Sequence, residues 1–376
     1  MAEQGSTEKK HPDFDFSLRE LAGSMGDFGT LFPLALGYIA VNGLDPAGLF
    51  ILLGLTNIAL GLVYRLPMPL QPKKVIAATA IAQAWPPALV YASGFGLGIL
   101  WLVIALSSLM RRLVRITPAC IVRGIQLALA ITLGWQALQW MRPEPLLGVI
   151  AVMLIILLRG NRWAPASIVI VLIGLAITAL RGGMSDRWEV GLTLPALTLP
   201  RLDDIWTGML LAGFAQIPLT LTNAVIAPAG LIRDYFPGRE VSERKLLFNM
   251  GVMNAIGCLF GGMPVCHGAG GLAGQYYFGA RTGGAAVLEG LLEVGAGLFL
   301  SAGIAGILAV FPLPLIAGML LMVGIELGKP ALKLKGWEFV LAAGTAALSV
   351  ITNMGIGFAA GLAAAHLQKA LRKNGS

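Results

Sequence analysis

The sequence predicts an all-α polytopic membrane protein, and three observations carry that prediction. Of its 376 residues, 57% are hydrophobic and only 12% are charged, against a charged share of about 25% in soluble domains. The mean hydropathy is +0.79. Apolar segments of about 17 to 25 residues, the length that crosses a lipid bilayer as a helix, recur between short polar turns. A nucleic-acid-binding protein is not expected despite the net charge of +8, because membrane proteins accumulate Lys and Arg in their cytoplasmic loops.

The apolar segments number fourteen, and a polar extracytoplasmic linker at residues 182–204 divides them seven and seven. Residues 1–18 and 372–376 are predicted to be cytoplasmic tails. The two transmembrane repeats are then residues 19–181 and 205–371. The predicted spans are 19–40, 44–64, 69–84, 88–110, 117–140, 144–159, 164–181, 205–229, 246–262, 265–279, 283–310, 312–328, 334–352 and 354–371.

The distribution of basic residues predicts the orientation. With the N-terminus inside, the outer turns VNGLD, WPP, FPLPL and TNMG hold almost no basic residues. This asymmetry places both termini in the cytoplasm and the protein in the cytoplasmic membrane. The predicted inner loops and inner ends hold Arg65, Arg111, Arg112, Arg115, Arg159, Arg162, Arg233, Arg239, Arg244, Lys245, Arg281, Lys329, Lys333, Lys335, Lys369, Arg372 and Lys373.

Weak similarity between the halves predicts an inverted repeat. TLFPLAL at 30–36 parallels AQIPLTL at 215–221, and NIALGL followed by MPLQP parallels NAIGCL followed by MPVCH in the same order. Seven spans per half start the second half from the opposite face, so the repeats are inverted, as is typical of secondary transporters.

Spans three and ten are too short to cross the membrane as helix. At about fifteen residues each they would form roughly 22 Å of helix, against a hydrocarbon core of about 30 Å. The Pro-rich and Gly-rich stretches RLPMPLQP and FGGMP precede them, and such stretches do not propagate helix. An extended segment followed by a half-helix that begins near the midplane is therefore predicted at both places, lining a cavity.

Two half-helices from inverted repeats would point their N-termini at each other. Unpaired backbone N–H groups and the positive ends of the helix dipoles favour an anion there, and the glycines of GAGG at 268–271 let a ligand approach the backbone. Lys73 and Lys74 fall in the first turn of the first half-helix, where a bound anion would compensate their charge. Snorkelling, or pairing with Asp27 or Glu20, is the alternative.

Other polar residues fall near the two breaks. Gln71 and Gln216 are predicted either to donate to oxygen atoms of a ligand or to form interhelical hydrogen bonds. Asp27 lies where Pro33 and nearby glycines are expected to interrupt the first span, and it is either a proton-coupling carboxylate or the partner of Lys74. Thr30, Thr220 and Asn223 complete the candidate lining, whereas Glu289 and Glu293 are expected to make structural contacts between helices.

The adjacent Cys266 and His267 invite a catalytic interpretation. Neighbouring residues of an extended strand point to opposite faces, so a Cys/His relay is not expected. A metal site is not expected either, because the other histidines, His11 and His366, lie at the chain ends. The glycines match no nucleotide-binding motif. We predict that the protein is not an enzyme and carries no cofactor. His267 is predicted to line the cavity, to act as a proton-sensitive residue, or to be a packing residue whose hydrogen bonds are satisfied.

Four stretches resemble a known family. GDFGTLFPLALGY, LPMPLQPKKVIAATAIA, AQIPLTLTNAVIA and GGMPVCHGAGGLAGQYYFGARTGG are similar to the signature stretches of the molybdate transporters of plants and prokaryotes, relatives of the SulP sulfate permeases. The resemblance implies the fourteen-helix, seven-plus-seven inverted-repeat fold shared with uracil permease. It also implies a core domain that carries the half-helices and moves against a gate domain in an elevator-like cycle.

The resemblance also implies the site. Carried over by position, the substrate elements are Gln71, Pro72 and Lys74 at one half-helix, with the span-eight wall at 216–223. Lys73 departs from the family pattern, where an uncharged residue is expected. At the second half-helix the implied elements are Cys266, His267, Gly268 and Ala269.

The implied substrate is molybdate. Sulfate or another anion, tungstate among them, is the nearest alternative, because molybdate and sulfate share charge and tetrahedral shape. The chain ends at HLQKALRKNGS without the STAS domain typical of SulP proteins, which favours the molybdate branch. An anion channel would need a continuous polar stripe on several spans, and an intramembrane enzyme would need Cys266 with His267. SulP relatives tend to dimerise, so a homodimer is possible.

Overall fold

The computed structural model of the chain describes residues 12–158, 166–183 and 189–374. Most of the predicted N-terminal tail, including His11, lies outside the described residues. So do Arg159 and Arg162 of one predicted inner loop, and the side chains of Arg372 and Lys373.

The first half of the described chain is helical with one short strand. Helices begin at proline or at an extended residue, as in α3, where the Asp45 side chain caps the amide of Ala47 at 3.0 Å. The elements are α1 (Leu18–Ser24), α2 (Phe28–Ala40), α3 (Pro46–Tyr64), β1 (Gln71–Pro72), α4 (Lys74–Ala82), α5 (Pro87–Leu106), α6 (Leu109–Ile116), α7 (Ala119–Met141), α8 (Pro145–Leu157) and α9 (Ala166–Leu180).

The second half is also helical with one short strand. Its first span is one long helical stretch in which π-helical turns at Met209–Gly213 and Leu221–Ile226 separate α-helical pieces. The elements are α10 (Leu202–Gly208), α11 (Phe214–Thr220), α12 (Ala227–Tyr235), α13 (Glu243–Gly257), β2 (Val265–Cys266), α14 (Ala269–Phe278), α15 (Gly283–Phe299), α16 (Ser301–Leu308), α17 (Leu313–Gly328), α18 (Gly336–Ile351) and α19 (Met354–Asn374).

The helices are those of a multi-pass membrane protein. Within the described residues, five are long and apolar enough to cross a membrane, and a sixth candidate is the pair α14 and α15, bent by 102° at its break. Shorter apolar helices, including α8, α9 and α18, accompany them. The count of fourteen spans stays a prediction.

Several boundaries differ from those expected. The break in the first span is a 3-10 turn at Met25–Asp27, and α2 continues through Pro33. The predicted span 283–310 is two helices, separated at Leu300. Helix α6, an amphipathic helix within the arginine-rich loop that was predicted to be an inner one, was not predicted. Helix α19 continues to Asn374, past the predicted start of the tail.

Glycines let pairs of helices approach closely. A Cβ on Gly54 of α3 would lie 2.4 Å from the carbonyl oxygen of Gly290 of α15, and one on Gly61 would lie 2.6 Å from that of Gly283. Helices α5 and α13 approach equally closely at Gly98, whose Cβ would lie 2.5 Å from the nitrogen of Ala255. Small residues at such crossings are the usual way in which membrane helices pack. Helices α3 and α15 are the predicted spans two and eleven, and α13 and α5 are the predicted spans nine and four. The predicted repeat makes span two equivalent to span nine and span four equivalent to span eleven, so it requires these two helix pairs to be equivalent.

Residues 189–201 of the linker between the halves contain no helix or strand. The linker runs along the ends of the second-half helices, because the Thr193 amide donates to the Leu298 carbonyl at 2.8 Å and the Thr198 amide donates to that of Leu259 at 2.7 Å. These hydrogen bonds hold the linker against the ends of α15 and of the turn that follows α13.

Candidate functional site

Two strands bring the short helices α4 and α14 together. Strands β1 and β2 are antiparallel, with Gln71 opposite Cys266 and Pro72 opposite Val265. The Lys73 amide extends the ladder by donating to the Pro264 carbonyl at 2.8 Å. As the sequence predicted, each short helix follows an extended segment directly.

The two segments correspond residue by residue. The N-cap of α4 is Lys73 and that of α14 is Gly268, both with extended backbone. The same number of residues separates these caps as separates Gln71 from Cys266, so the match of MPLQP with MPVCH holds in the structure. A local two-fold axis at the paired strands therefore relates the two helix N-termini to each other.

The N-terminus of α4 is capped by a side chain from the second half. The Val75 amide donates to Oε1 of Gln216 at 2.8 Å, and Nε2 of Gln216 donates to Oγ1 of Thr220 at 2.9 Å. Gln216 and Thr220 are both buried. Of the two roles that the sequence left open for Gln216, the structure shows the interhelical hydrogen bond.

The N-terminus of α14 is packed against Gln71. A Cβ on Gly268 would lie 2.0 Å from Oε1 of Gln71, and one on Gly271 would lie 2.7 Å from its Nε2. The side chain of Gln71 therefore lies across the first turn of α14 rather than over its own helix, and its buried Oε1 has no hydrogen-bond partner. Gly270 is exposed, and a Cβ there would meet nothing within 4 Å, which leaves room beside the amides of this turn.

The two lysines have different surroundings. Lys73 is fully buried, its Nζ has no hydrogen-bond partner, and it lies 5.6 Å from the centroid of the Trp101 ring. Lys74, the first residue of α4, is half-buried. Of the two lysines at the start of α4, Lys73 is thus enclosed and Lys74 retains access to solvent.

The ion pairs that the sequence allowed as an alternative are not formed. Both carboxylate oxygens of Asp27 are buried without a hydrogen-bond partner. Glu20 accepts instead from the amides of Arg281 and Thr282, at 3.0 to 3.1 Å. Neither carboxylate therefore compensates the lysine charges by hydrogen bonding.

Cys266 and His267 are both buried, and they do not form a relay. The Nδ1 atom of His267 is 3.4 Å from the Pro69 carbonyl oxygen, and its ring meets Tyr64 edge-on with centroids 6.2 Å apart. Cys266 is held in β2 opposite Gln71. His267 is thus largely a packing residue, although its Nε2 has no partner among the described residues.

The remaining candidate residues differ in how far they are buried. Pro72 and Ala269 are buried beside the strand pair, whereas Thr30 and Asn223 are half-buried. Thr30 belongs to α2, which packs against β1 and α4. Asn223 lies in the second π-helical turn, one turn beyond Thr220.

A small cavity next to Asn223 contains two residues that the sequence analysis missed. It has a volume of about 150 Å³ and is lined by Arg123 and Gln126 of α7 and by Thr222 and Asn223. Arg123 donates from Nη1 to Oε1 of Gln126 at 2.8 Å. The available signal was that Arg123 is the single charged residue in the predicted span 117–140.

Comparison with known proteins identifies related sequences. A family described as molybdate transporters of the MFS superfamily matches residues 19–133 and 208–327, more than half of the chain. "Molybdate transporter 1" of Arabidopsis thaliana is 33% identical over 400 residues, covering 93% of this chain and 87% of the relative.

Solved structures share the fold at low sequence identity. The transmembrane domain of the cyanobacterial bicarbonate transporter BicA has a TM-score of 0.70 at 18% identity, covering 92% of this chain and 97% of that domain. The murine Slc26a9 anion transporter in its inward-facing state has a TM-score of 0.69 at 14% identity, covering 96% of this chain and 70% of the other.

Proposed function

Because the chain belongs to the molybdate transporter family of the MFS superfamily, we propose that it carries molybdate across the cytoplasmic membrane as a secondary transporter. The resemblance seen in the sequence is confirmed, and the family consists of transporters rather than enzymes. The similarity to a molybdate transporter supports molybdate as the substrate. On the positive-inside rule we propose that both termini lie in the cytoplasm.

One observation carries the proposed site: two short helices start at the opposite ends of one antiparallel strand pair. Positive dipole ends at both helix starts, together with the first turn of α14, which no side chain caps, favour a dianion over a neutral or cationic ligand. The α14 side offers backbone at Gly268, Ala269 and the open Gly270, and the α4 side offers the ammonium of Lys74.

The polar neighbours have supporting roles in this proposal. Gln71 lies across the start of α14, with its buried Oε1 unpartnered, and Gln216 with Thr220 holds the start of α4. Pro72, Cys266 and His267 hold the strand pair and shape the cavity, and Thr30 lines it from α2.

Asn223 and Arg123 line the approach to this site. An arginine is always charged and carries several donors, and the cavity beside it is of small-ion size. Replacing Arg123 by Gln should raise the apparent KM for molybdate by about threefold to tenfold, the range expected for a screened, partly exposed charge. An unchanged KM would remove Arg123 from the pathway.

For the whole chain we propose fourteen spans in two inverted repeats, 19–181 and 205–371, with a core that carries α4 and α14 and moves against a gate. The symmetric pairing of α3 with α15 and of α5 with α13, together with the fold shared with BicA and Slc26a9, supports this architecture. Alternating access by such a movement is the mode expected of repeat-built transporters.

Uptake of radiolabelled molybdate into proteoliposomes tests the proposal. We expect saturable uptake, accelerated by molybdate preloaded inside, with tungstate competing more strongly than sulfate. Accumulation of sulfate but not molybdate would overturn the substrate assignment, and uptake that shows neither saturation nor counterflow would indicate a channel.

A further inference from the structure

Three carboxylates that the anion site does not use are buried together between α3, α15 and the turn before α2. Asp27 is 3% exposed, Glu289 is 3% exposed and Glu293 is 8% exposed. Nδ2 of Asn57, on α3, donates to Oε2 of Glu293 at 2.7 Å. Asp27 lies close enough to act electrostatically on both glutamates, so we call Asp27, Glu289 and Glu293 the acidic cluster.

The unsatisfied atoms in and around the acidic cluster are all acceptors. Both oxygens of Asp27, Oε2 of Glu289, Oδ1 of Asn57 and Oε1 of Gln275 are buried without a hydrogen-bond partner. An isolated buried carboxylate costs several kcal/mol or more, and three together repel one another. Nδ2 of Asn57 donates to one glutamate oxygen only, so the remaining oxygens need further donors and positive charge, both of which bound protons supply.

The charged groups on neighbouring elements are engaged elsewhere. On α1, Glu20 is held by the amides of Arg281 and Thr282, and Arg19 lies against Gly279. After α14, the Arg281 guanidinium stacks on Tyr276 at 3.6 Å. The charges that act on the glutamates of the acidic cluster are those of its own members.

The geometry favours protons over a metal ion. Within the described residues, no three carboxylate, thiol or imidazole groups are grouped so that they could hold a metal ion. Carboxylates that cannot converge on one ion can still each bind a proton or share one, as closely placed acids do.

The acidic cluster touches the anion site through α14. A Cβ on Gly271 would lie 3.1 Å from Cβ of Asp27, and one on Gly26 would lie 2.5 Å from the carbonyl of Gly274. Gln275 also donates from Nε2 to the Ser24 carbonyl at 3.3 Å. An anion at the start of α14 therefore lies near Asp27, and its charge disfavours the ionised carboxylate at short range.

We infer that the acidic cluster is a proton-binding site, and that proton binding there and anion binding at α14 favour each other. The inference rests on the proposed function, which it deepens by naming the coupling ion. Linkage is reciprocal, so an anion that promotes proton uptake binds more tightly once the proton is present. The protein then carries protons with its anion.

The first test uses the wild-type protein. In proteoliposomes that contain a pH-sensitive dye, with the membrane potential clamped, addition of molybdate should acidify the lumen, and an inward proton gradient should drive molybdate accumulation. Molybdate counterflow without any proton movement, or accumulation that follows a sodium gradient and resists a protonophore, would overturn the inference and leave the proposed function standing. Absence of counterflow would instead remove the proposed function.

The second test assigns the protons to the acidic cluster. Glu289→Gln should lower molybdate-evoked proton influx by about tenfold or more, as expected when a coupling site is lost, while molybdate counterflow continues. The matched control is Glu326→Gln, which neutralises a half-exposed carboxylate paired with Lys329 and should leave proton influx unchanged.

Asp27→Asn and Glu293→Gln repeat the measurement on the other members, and gel filtration checks that each variant is folded. If every folded variant keeps wild-type proton influx, the acidic cluster only joins helices and the inference is wrong. If a variant loses counterflow as well as proton influx although it is folded, its carboxylate serves anion binding, which also contradicts the assignment.

Discussion

The strand-and-helix segments of the two halves have corresponding backbones and different chemistry. Around α4 the first turn carries two lysines, whereas around α14 it carries the glycines 268, 270 and 271. One helix start thus supplies side-chain charge, and the other supplies backbone that a ligand can reach.

The two starts also differ in what covers them. Gln216 from the second half forms a hydrogen bond with the first turn of α4, whereas Gln71 from the first half only packs across α14. Each helix start is therefore covered by a residue from the opposite half of the chain. In the proposed site, two segments with corresponding backbones thus divide the binding of an anion between charge and amide groups.

The largest expected effect comes from filling the α14 side. In Gly271→Ala the added Cβ would lie 2.7 Å from both Nε2 of Gln71 and Cβ of Pro69, and 3.1 Å from Cβ of Asp27. Such overpacking costs about 1–3 kcal/mol, so we expect a lower melting temperature and loss of molybdate uptake. Gly295→Ala, where a Cβ would meet nothing within 4 Å, is the matched control. Equal behaviour of both variants would show that α14 is not closely packed.

The next effect separates the two lysines on the α4 side. Lys74→Ala should raise the apparent KM for molybdate by about tenfold, equivalent to about 1.4 kcal/mol of binding, or abolish uptake, without unfolding the protein. Lys73→Met removes a buried, unpaired charge and should keep or raise the melting temperature, with a smaller change in KM. Uptake kinetics and thermal unfolding of both variants show which lysine binds the anion. A larger KM change in Lys73→Met than in Lys74→Ala would assign anion binding to Lys73 instead.

A smaller effect distinguishes the two glutamines. Gln216→Ala removes the cap on the Val75 amide, and loss of a helix cap typically costs about 0.5–2 kcal/mol of stability. Gln71→Ala breaks no hydrogen bond that the structure shows, so its melting temperature should fall less. Thermal unfolding of purified protein in one detergent compares them, and equal destabilisation would mean that Gln71 forms a hidden structural bond.

The smallest effect is expected at Cys266. Cys266→Ala keeps β2, whose backbone holds the strand pair, and removes only a buried thiol. Uptake should stay within about twofold of wild type, as for substitutions that break no named interaction. Complete loss of transport in a folded variant would assign the thiol a direct role and weaken the division between charge and backbone.

Much of this geometry could be predicted from the chain itself. Proline and glycine stop helix propagation in RLPMPLQP and FGGMP, so an extended segment and a short helix followed at both places. The parallel order of MPLQP and MPVCH placed the helix caps Lys73 and Gly268 at equivalent positions. Local conformational preference is enough for these features.

Other features needed long-range contacts. Both lysines lie in one turn, and only packing against Trp101 decided that Lys73 is the buried one. Arg123 was missed because a lone arginine in an apolar helix does not reveal which helix it faces. Glu289 and Glu293 were interpreted as contacts between helices, and Glu293 does accept from Asn57, but their proximity to Asp27 was not visible.

By itself, the sequence determined the membrane class, the two broken spans, their equivalence and the family, because hydropathy, helix-breaking residues and motifs are local properties of a chain. Only the tertiary structure decided which side chain covers which helix start, which lysine is buried and which acids share one buried space. Those outcomes depend on how helices that are distant in sequence cross one another. The crossings are set by close packing between such helices, which cannot be inferred from any short stretch of the chain.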